Sequence, residues 1–204
     1  MHTVKADSPR RLRFEILEPR RLLTAELTHF GQMAIPQAIE GEWAAFLMLE
    51  AVRRVDLNGD GDTSDPVLHL HNTTTGTTSN LSLSSSGAEL HGSRVVILVP
   101  EALQGGTDLN NDGDTSDRVL HIYDIETGKL TNVGFATSDL VSEVTTTKDL
   151  LIFTVSEANN GGIDLNGDGD AIDSVLHVYD MATGATTNMG LVASARELDL
   201  DGSR

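Results

Sequence analysis

The chain has 204 residues, 31 acidic and 14 basic, for a formal charge of −17, with 39% hydrophobic residues and no cysteine. Such acidity excludes recognition of nucleic-acid phosphates, which takes basic stripes, and matches an anionic membrane surface poorly. The lack of cysteine removes disulfides and thiolate metal sites, and no apolar run reaches the length of a helical membrane span.

In chain order, the first segment is unlike the rest. "MHTVKADSPRRLRFEILEPRRLLTA" holds six Lys/Arg and three acids in 25 residues and lacks the apolar stretch of an ordinary signal peptide. Its centre, Leu17-Glu18-Pro19-Arg20 followed after one residue by Leu22-Leu23, resembles the LEPR-XLL segment at the start of large bacterial surface and exported proteins. The resemblance implies a sorting segment over residues 1–26, disordered or a short helix, set apart from the fold of 27–204.

Beyond it the chain repeats. "DLNGDGDTSD" at Asp56, "DLNNDGDTSD" at Asp108 and "DLNGDGDAID" at Asp164 recur 52 and 56 residues apart. They are flanked each time by an apolar run ending in Glu-Ala and by "VLH". A unit of about fifty residues with short strands points to propeller blades or a β-solenoid. Each unit divides into four strands. The first is short, at 88–91 in the second unit and 143–146 in the third. After the turn His91-Gly92-Ser93 comes a continuously apolar strand, 95–99, with 150–155 as its counterpart; such a strand is covered on both faces. In the third strand, "RVLHIYD", Val119, His121 and Tyr123 share one face and Leu120 and Ile122 the other. A hairpin with Gly76, Gly128 or Gly184 leads to the fourth strand, such as "KLTNVG". Trp43 is read as a core residue of the first unit.

The hairpin "VYDMATGATTN" at 178–188 is very like that of TolB-type β-propeller blades, and the resemblance covers roughly 36–204. It implies an all-β fold of tandem four-stranded, β-propeller-like blades at about 36–87, 88–142 and 143–194. A lone first strand of a fourth blade, "RELDLDGSR", follows at 195–204. Propellers close with roughly four to eight blades, so an incomplete propeller is expected. It is a piece of a longer protein, an assembly of chains or an open array, the first being preferred.

Oxygen-bearing side chains fall at positions 1, 3, 5, 7 and 10 of every decapeptide. These are Asp56, Asn58, Asp60, Asp62 and Asp65; Asp108, Asn110, Asp112, Asp114 and Asp117; Asp164, Asn166, Asp168, Asp170 and Asp173. Alternate oxygens on a tightly turning loop converge, and hard oxygens in such number suit Ca2+. Magnesium, which keeps waters, and zinc, which takes His or Cys, fit less well. The opening D-x-N-x-D-G matches an EF-hand, but Thr63 at position 8 and Val67 at position 12 break the match, and dockerin geometry fails at the same place. The loop is more similar to the calcium loop of FG-GAP repeats, D-x-[DN]-x-D-G-x-x-D. By that resemblance the side chains of positions 1, 3 and 5 bind, position 7 offers a backbone carbonyl and the final Asp closes the cage. Here the closing Asp stands at 10 rather than 9, which leaves Asp62 without an assigned role. Three Ca2+ are expected, one per loop. A further acid, Glu50, Glu101 or Glu157, ends each apolar strand, either as an extra ligand or as a cap of the strand end.

His69, His121 and His177 recur at one strand position, as a packing residue or an inter-blade hydrogen bond requires. No nucleophile motif, phosphate loop or cofactor motif is present, so no catalytic residue is assigned. The sequence thus predicts an exported, extracellular or cell-surface protein in which Ca2+ orders long loops, with a structural or adhesive role. Its ligand is an unnamed extracellular or cell-surface molecule, and its open blade edges are free to self-associate. The alternative is part of a larger propeller enzyme, for example polysaccharide-active, with its catalytic groups outside this chain.

Overall fold

The computed structural model describes residues 34–137 and 150–192. Among them, eleven strands form three antiparallel sheets. The first holds β1 (Ala34–Glu40), β2 (Trp43–Leu49), β3 (Pro66–Asn72) and β4 (Thr77–Ser84) in that order. The second repeats it with β5 (Gly87–His91), β6 (Arg94–Pro100), β7 (Arg118–Asp124) and β8 (Leu130–Ala136). The third has β9 (Leu150–Ser156), β10 (Ser174–Asp180) and β11 (Ala185–Val192), with β10 central. The architecture is all-β, an open array of blade-like sheets. Expectations for 1–26, 143–146 and 195–204 fall outside the described residues.

The strands form where side chains alternate, and in the middle sheet both faces are buried. In β6, Val95, Ile97 and Val99 are fully buried in a cluster with Ala45, Leu47, Leu68 and Leu70 of the first sheet. Val96 and Leu98, pointing the other way, join Leu120 and Ile122 against Leu151, Phe153 and Val155 of the third sheet. The β7 alternation follows from its pairing: Tyr123 sits opposite Val95 and Ile122 opposite Val96. Trp43 is half-buried at the edge of the first cluster rather than within it. Each fully buried aliphatic side chain contributes about 1.5–3 kcal/mol. The inter-sheet layers are therefore the main source of stability.

The hairpins after β3, β7 and β10 share one device. Asn72, Asp124 and Asp180 each accept two backbone N–H groups of the turn through Oδ1, from Thr74 and Thr75, Glu126 and Thr127, and Ala182 and Thr183. Gly76, Gly128 and Gly184 close these turns at φ of 70°, 70° and 75°, where a side chain is strained. Each following strand then bulges. Val119 pairs with Ala136 but His121 with Asn132, so the fourth strand carries two extra residues, and the other two sheets do the same.

Of the two readings of the three histidines, packing holds: they are buried, and their hydrogen bond is within the strand rather than between blades. Nδ1 of His69, His121 and His177 lies 3.0, 3.1 and 3.0 Å from the carbonyl oxygens of Val67, Val119 and Val175. Burial holds all three imidazoles below the ordinary histidine pKa. His69 stacks on Phe46 at 5.8 Å between centroids, and His177 packs between Phe135 and Phe153. They are neutral core residues.

Truncating Ile97, with no exposed surface, to alanine should cost about 2–5 kcal/mol in denaturant unfolding. The same change at Ile172, 82% exposed, should stay within about 0.5 kcal/mol.

Candidate metal centre

Each decapeptide lies in the connection from the second strand of its unit to the third. That connection opens with a short helical turn: Glu50–Arg53, Glu101–Leu103 and Ala158–Asn160. The acid ending each apolar strand is completely buried beneath the loop. Glu101 accepts the Leu109 N–H through Oε1 at 2.6 Å and the Asp117 N–H through Oε2 at 3.1 Å. Glu157 does the same with Leu165 at 2.6 Å and Asp173 at 3.0 Å. Glu50 holds Leu57 and Asp65 likewise. The backbone closes the same ring, the N–H of Glu101 donating to the carbonyl of Asp117 at 2.9 Å. This glutamate therefore fixes positions 2 and 10 of the decapeptide, a larger task than capping a strand.

A second anchor went unnoticed in the sequence. Asn80, Asn132 and Asn188 of the fourth strands donate through Nδ2 to the carbonyls of Leu57, Leu109 and Leu165 at 2.7, 2.8 and 2.8 Å. Their Oδ1 atoms accept the N–H of Ser82, Gly134 and Gly190 within the bulge. The signal was present: each asparagine stands 23 residues after that leucine in all three units.

Inside the loop the oxygens divide their work. At position 1, Asp56 accepts the N–H of Gly59 and Gly61, Asp108 that of Asn111, Asp112 and Gly113, and Asp164 that of Gly167 and Gly169. These carboxylates bend the loop. At position 7, Asp62 and Asp114 accept both the N–H and the hydroxyl of the serine two residues on, and Asp170 accepts the Ile172 N–H. Position 10 is buried in the first two loops, Asp65 being 1% exposed and Asp117 5%, while Asp173 is half-buried. Asp60, Asp112 and Asp168, at position 5, face Asp65, Asp117 and Asp173 within hydrogen-bonding reach.

Three acidic triads result: Glu50, Asp62 and Asp65; Glu101, Asp114 and Asp117; Glu157, Asp170 and Asp173. In each, one oxygen per residue lies within 4.8 Å of the others. Two oxygens sharing a calcium shell stand no more than about 5 Å apart, given bonds of 2.3–2.6 Å. The triads draw on the side chain of position 7 and on the strand-end glutamate. Asn58, Asn110 and Asn166, at position 3, lie beside them. Asn166 donates to Asp173 at 2.9 Å and Asn58 to Asp65 at 3.3 Å. In the second loop Asn110 donates elsewhere, and Asn110 Oδ1 and Asp117 Oδ2 are buried with no hydrogen-bond partner. Two unpartnered buried oxygens beside two further carboxylates form a group that could hold a cation or a proton.

The electrostatics agree. Burial first, then the surrounding carboxylates, push Asp65 and Asp117 up to about 6, and Asp173 is raised by burial. Asp60 and Asp168 are held below the ordinary carboxylate value, first by the N–H of Asp62 and Asp170, so the proton or cation belongs to position 10.

The opposite rim of the array, at the hairpins, is less uniform. Between the second and third sheets a cavity of about 350 Å³ is lined by Arg94, Asp124, Lys129 and Tyr179 among others. Arg94 pairs with Asp124 at 2.7 Å. At the equivalent place one sheet earlier stands Trp43, packed with Tyr123 and Ile125 against the first cluster.

Two outcomes are expected. A raised carboxyl pKa gives stability that is present below the unfolded value, near 4, and lost as pH rises through the folded value, about 6. Metal-free protein should therefore lose that contribution between pH 4 and 6. Asp117→Asn should melt higher than the parent in chelator at pH 8 while losing part of the metal response, as followed by thermal denaturation. Asn132→Ala, which frees the Leu109 carbonyl, should cost about 1–3 kcal/mol with metal absent.

No protein-family model matches the chain, and no curated protein does. Among solved structures, the chain is similar to the β-propeller domain of the Trilobed protease from Pyrococcus furiosus, described as having an open velcro topology. The TM-score is 0.50 at 9% identity, over 76% of this chain and 42% of that one. A second similar structure is the tricorn protease, with a TM-score of 0.43 at 13% identity, over 75% of this chain and 12% of that one. The chain thus spans about two-fifths of the first of these, and the likeness is one of fold: a β-propeller-like array.

Proposed function

We propose that the protein is an exported, calcium-binding β-repeat module, non-catalytic, with a structural or adhesive role at the cell surface or outside the cell. The observation that carries the metal is the buried tenth-position aspartate. Asp117 has an unpartnered Oδ2 and faces Asp112, Asp114 and Glu101. Charge of that density inside a fold needs a counter-ion or a proton, and near neutral pH only the counter-ion persists. Calcium suits it best, because every side chain within reach offers hard oxygen and the loop is long enough to supply six or more ligands. The first-position aspartates shape the loop, the positions 5, 7 and 10 carboxylates with the glutamate neutralise the ion, and the asparagine amide supplies a neutral oxygen. The module's surface is then a rigid rim on which an extracellular ligand docks. Export rests on the resemblance of residues 17–23 to the LEPR-XLL segment, and self-association on open blade edges.

Metal analysis of protein equilibrated with calcium by gel filtration should give about three Ca2+ per chain. The midpoint of thermal unfolding should fall when chelator replaces millimolar calcium, since only the native state holds formed cages. Retention of zinc in place of calcium, or equal midpoints with and without chelator, would overturn the reading.

A further inference from the structure

The three loops share a sequence but not their surroundings. Asn58 Nδ2 donates to the carbonyl of Leu103 at 3.0 Å, and Leu103 belongs to the helical turn of the second unit. The Gly105 N–H in turn donates to Asp60 Oδ2 at 3.1 Å. The Ser84 N–H, at the end of β4, donates to Gln104 Oε1 of the same turn at 2.8 Å. The pattern recurs one unit on. Asn110 donates to the Asn159 carbonyl at 2.9 Å, the Gly161 N–H donates to Asp112 at 3.2 Å, and Asn160 exchanges two bonds of 3.0 Å with the backbone of Ala136. Positions 3 and 5 of each of the first two loops are thus held by the unit that follows. In the third loop Asn166 turns back on Asp168 and Asp173, and Asp168 bonds only within its own loop among the described residues.

We propose that the first two metal sites are composite, each closed by the helical turn of the next unit, so that cation binding and blade docking are one equilibrium. This rests on the calcium reading above. The physical reason is preorganisation. Asp60 and Asp112 are aimed at the buried tenth-position carboxylate by an N–H from another unit, so a cation that needs both carboxylates binds the docked state more tightly. By reciprocity it also strengthens the docking. The unpartnered oxygens of Asn110 and Asp117 lie in one of these interface loops.

The two glycines of the turn allow a clean test. Gly105 and Gly106 have φ of 70° and 62°, so alanine strains the backbone at either. Only at Gly105 does a Cβ meet the preceding loop, 3.3 Å from Asp60 Cβ; at Gly106 it meets nothing within 4 Å. Calcium titration of the full chain by calorimetry should resolve the binding events of the parent and of each variant. Gly105→Ala should weaken one site by tenfold or more and leave the others alone, although the residue carries no ligand. Gly106→Ala should change every site less than threefold. Gln104→Ala loosens the same contact without backbone strain and should give the same single-site loss if Gly105→Ala does not fold. Equal effects of the two glycine variants, or no single-site loss with either Gly105→Ala or Gln104→Ala, overturn the proposal while leaving calcium binding intact. No binding at all overturns the calcium reading and the coupling with it.

Discussion

Everything in this fold is arranged around a buried carboxylate that cannot stay charged alone. Glu101 and Asp117 are both buried, with oxygens within 4.8 Å of one another. If both are ionised, their repulsion is about 3 kcal/mol at an effective dielectric of 20. Backbone N–H groups answer part of it. Each strand-end glutamate receives two of them, and the first-position aspartate receives at least two more. These bonds order the loop but add no positive charge. The remaining imbalance collects at position 10, where Asp65 and Asp117 are driven up to about 6. A cation there removes the imbalance and locks a long connection otherwise held by the strand-end glutamate, the fourth-strand asparagine, the first-position aspartate and the turn of the next unit.

The loop is also where the sheets are joined most specifically. The apolar layers between sheets, such as Ile97 over Leu47 and Leu68, are strong but carry little directional information. The hydrogen bonds from the loops and turns set which unit follows which, and they run one way along the chain. In the first unit the turn is one residue shorter, with Arg53 and Arg54 where the others have an amide and a glycine pair. Arg54 takes the left-handed conformation at φ 55° and donates its N–H to the Glu50 carbonyl, as Gly106 and Gly162 do in their units. The glycine that elsewhere grips a preceding aspartate has no counterpart there.

Much of this was legible in the residues. "RVLHIYD" coincides with β7, and the apolar run 95–99 gains one residue at each end in β6, because a strand covered on both faces stands out as an unbroken apolar run. The acidic decapeptides marked the candidate site directly. What stayed hidden depends on three-dimensional closure. In sequence Glu101 reads equally as an extra ligand or a strand cap, because its two backbone partners lie 8 and 16 residues away. Asn132 lay within a quoted strand, but its role needs the bulge that turns its amide towards Leu109. By resemblance position 7 offers a backbone carbonyl, with the role of its carboxylate open, and in the structure that carboxylate stands in the triad. The histidines look equivalent in sequence and are so in structure, yet their hydrogen bond stays within one strand.

The hairpin rim has a different fate from the loop rim. The strands joining them are seven residues long, about 20 Å, so a change at one end is not felt at the other. At the loop end nearly every oxygen is committed, and drift there is penalised. At the hairpin end only a turn cap and a glycine are required, and Trp43 in one unit gives way to Arg94 in the next. At the Arg94 end a hollow of about 350 Å³ opens between the second and third sheets, while the registers of β2 with β3 and of β6 with β7 stay the same. Duplicated units built this way can inherit a conserved skeleton on one side and accumulate new chemistry on the other, which makes the hairpin rim the place where copies of the same repeat diverge.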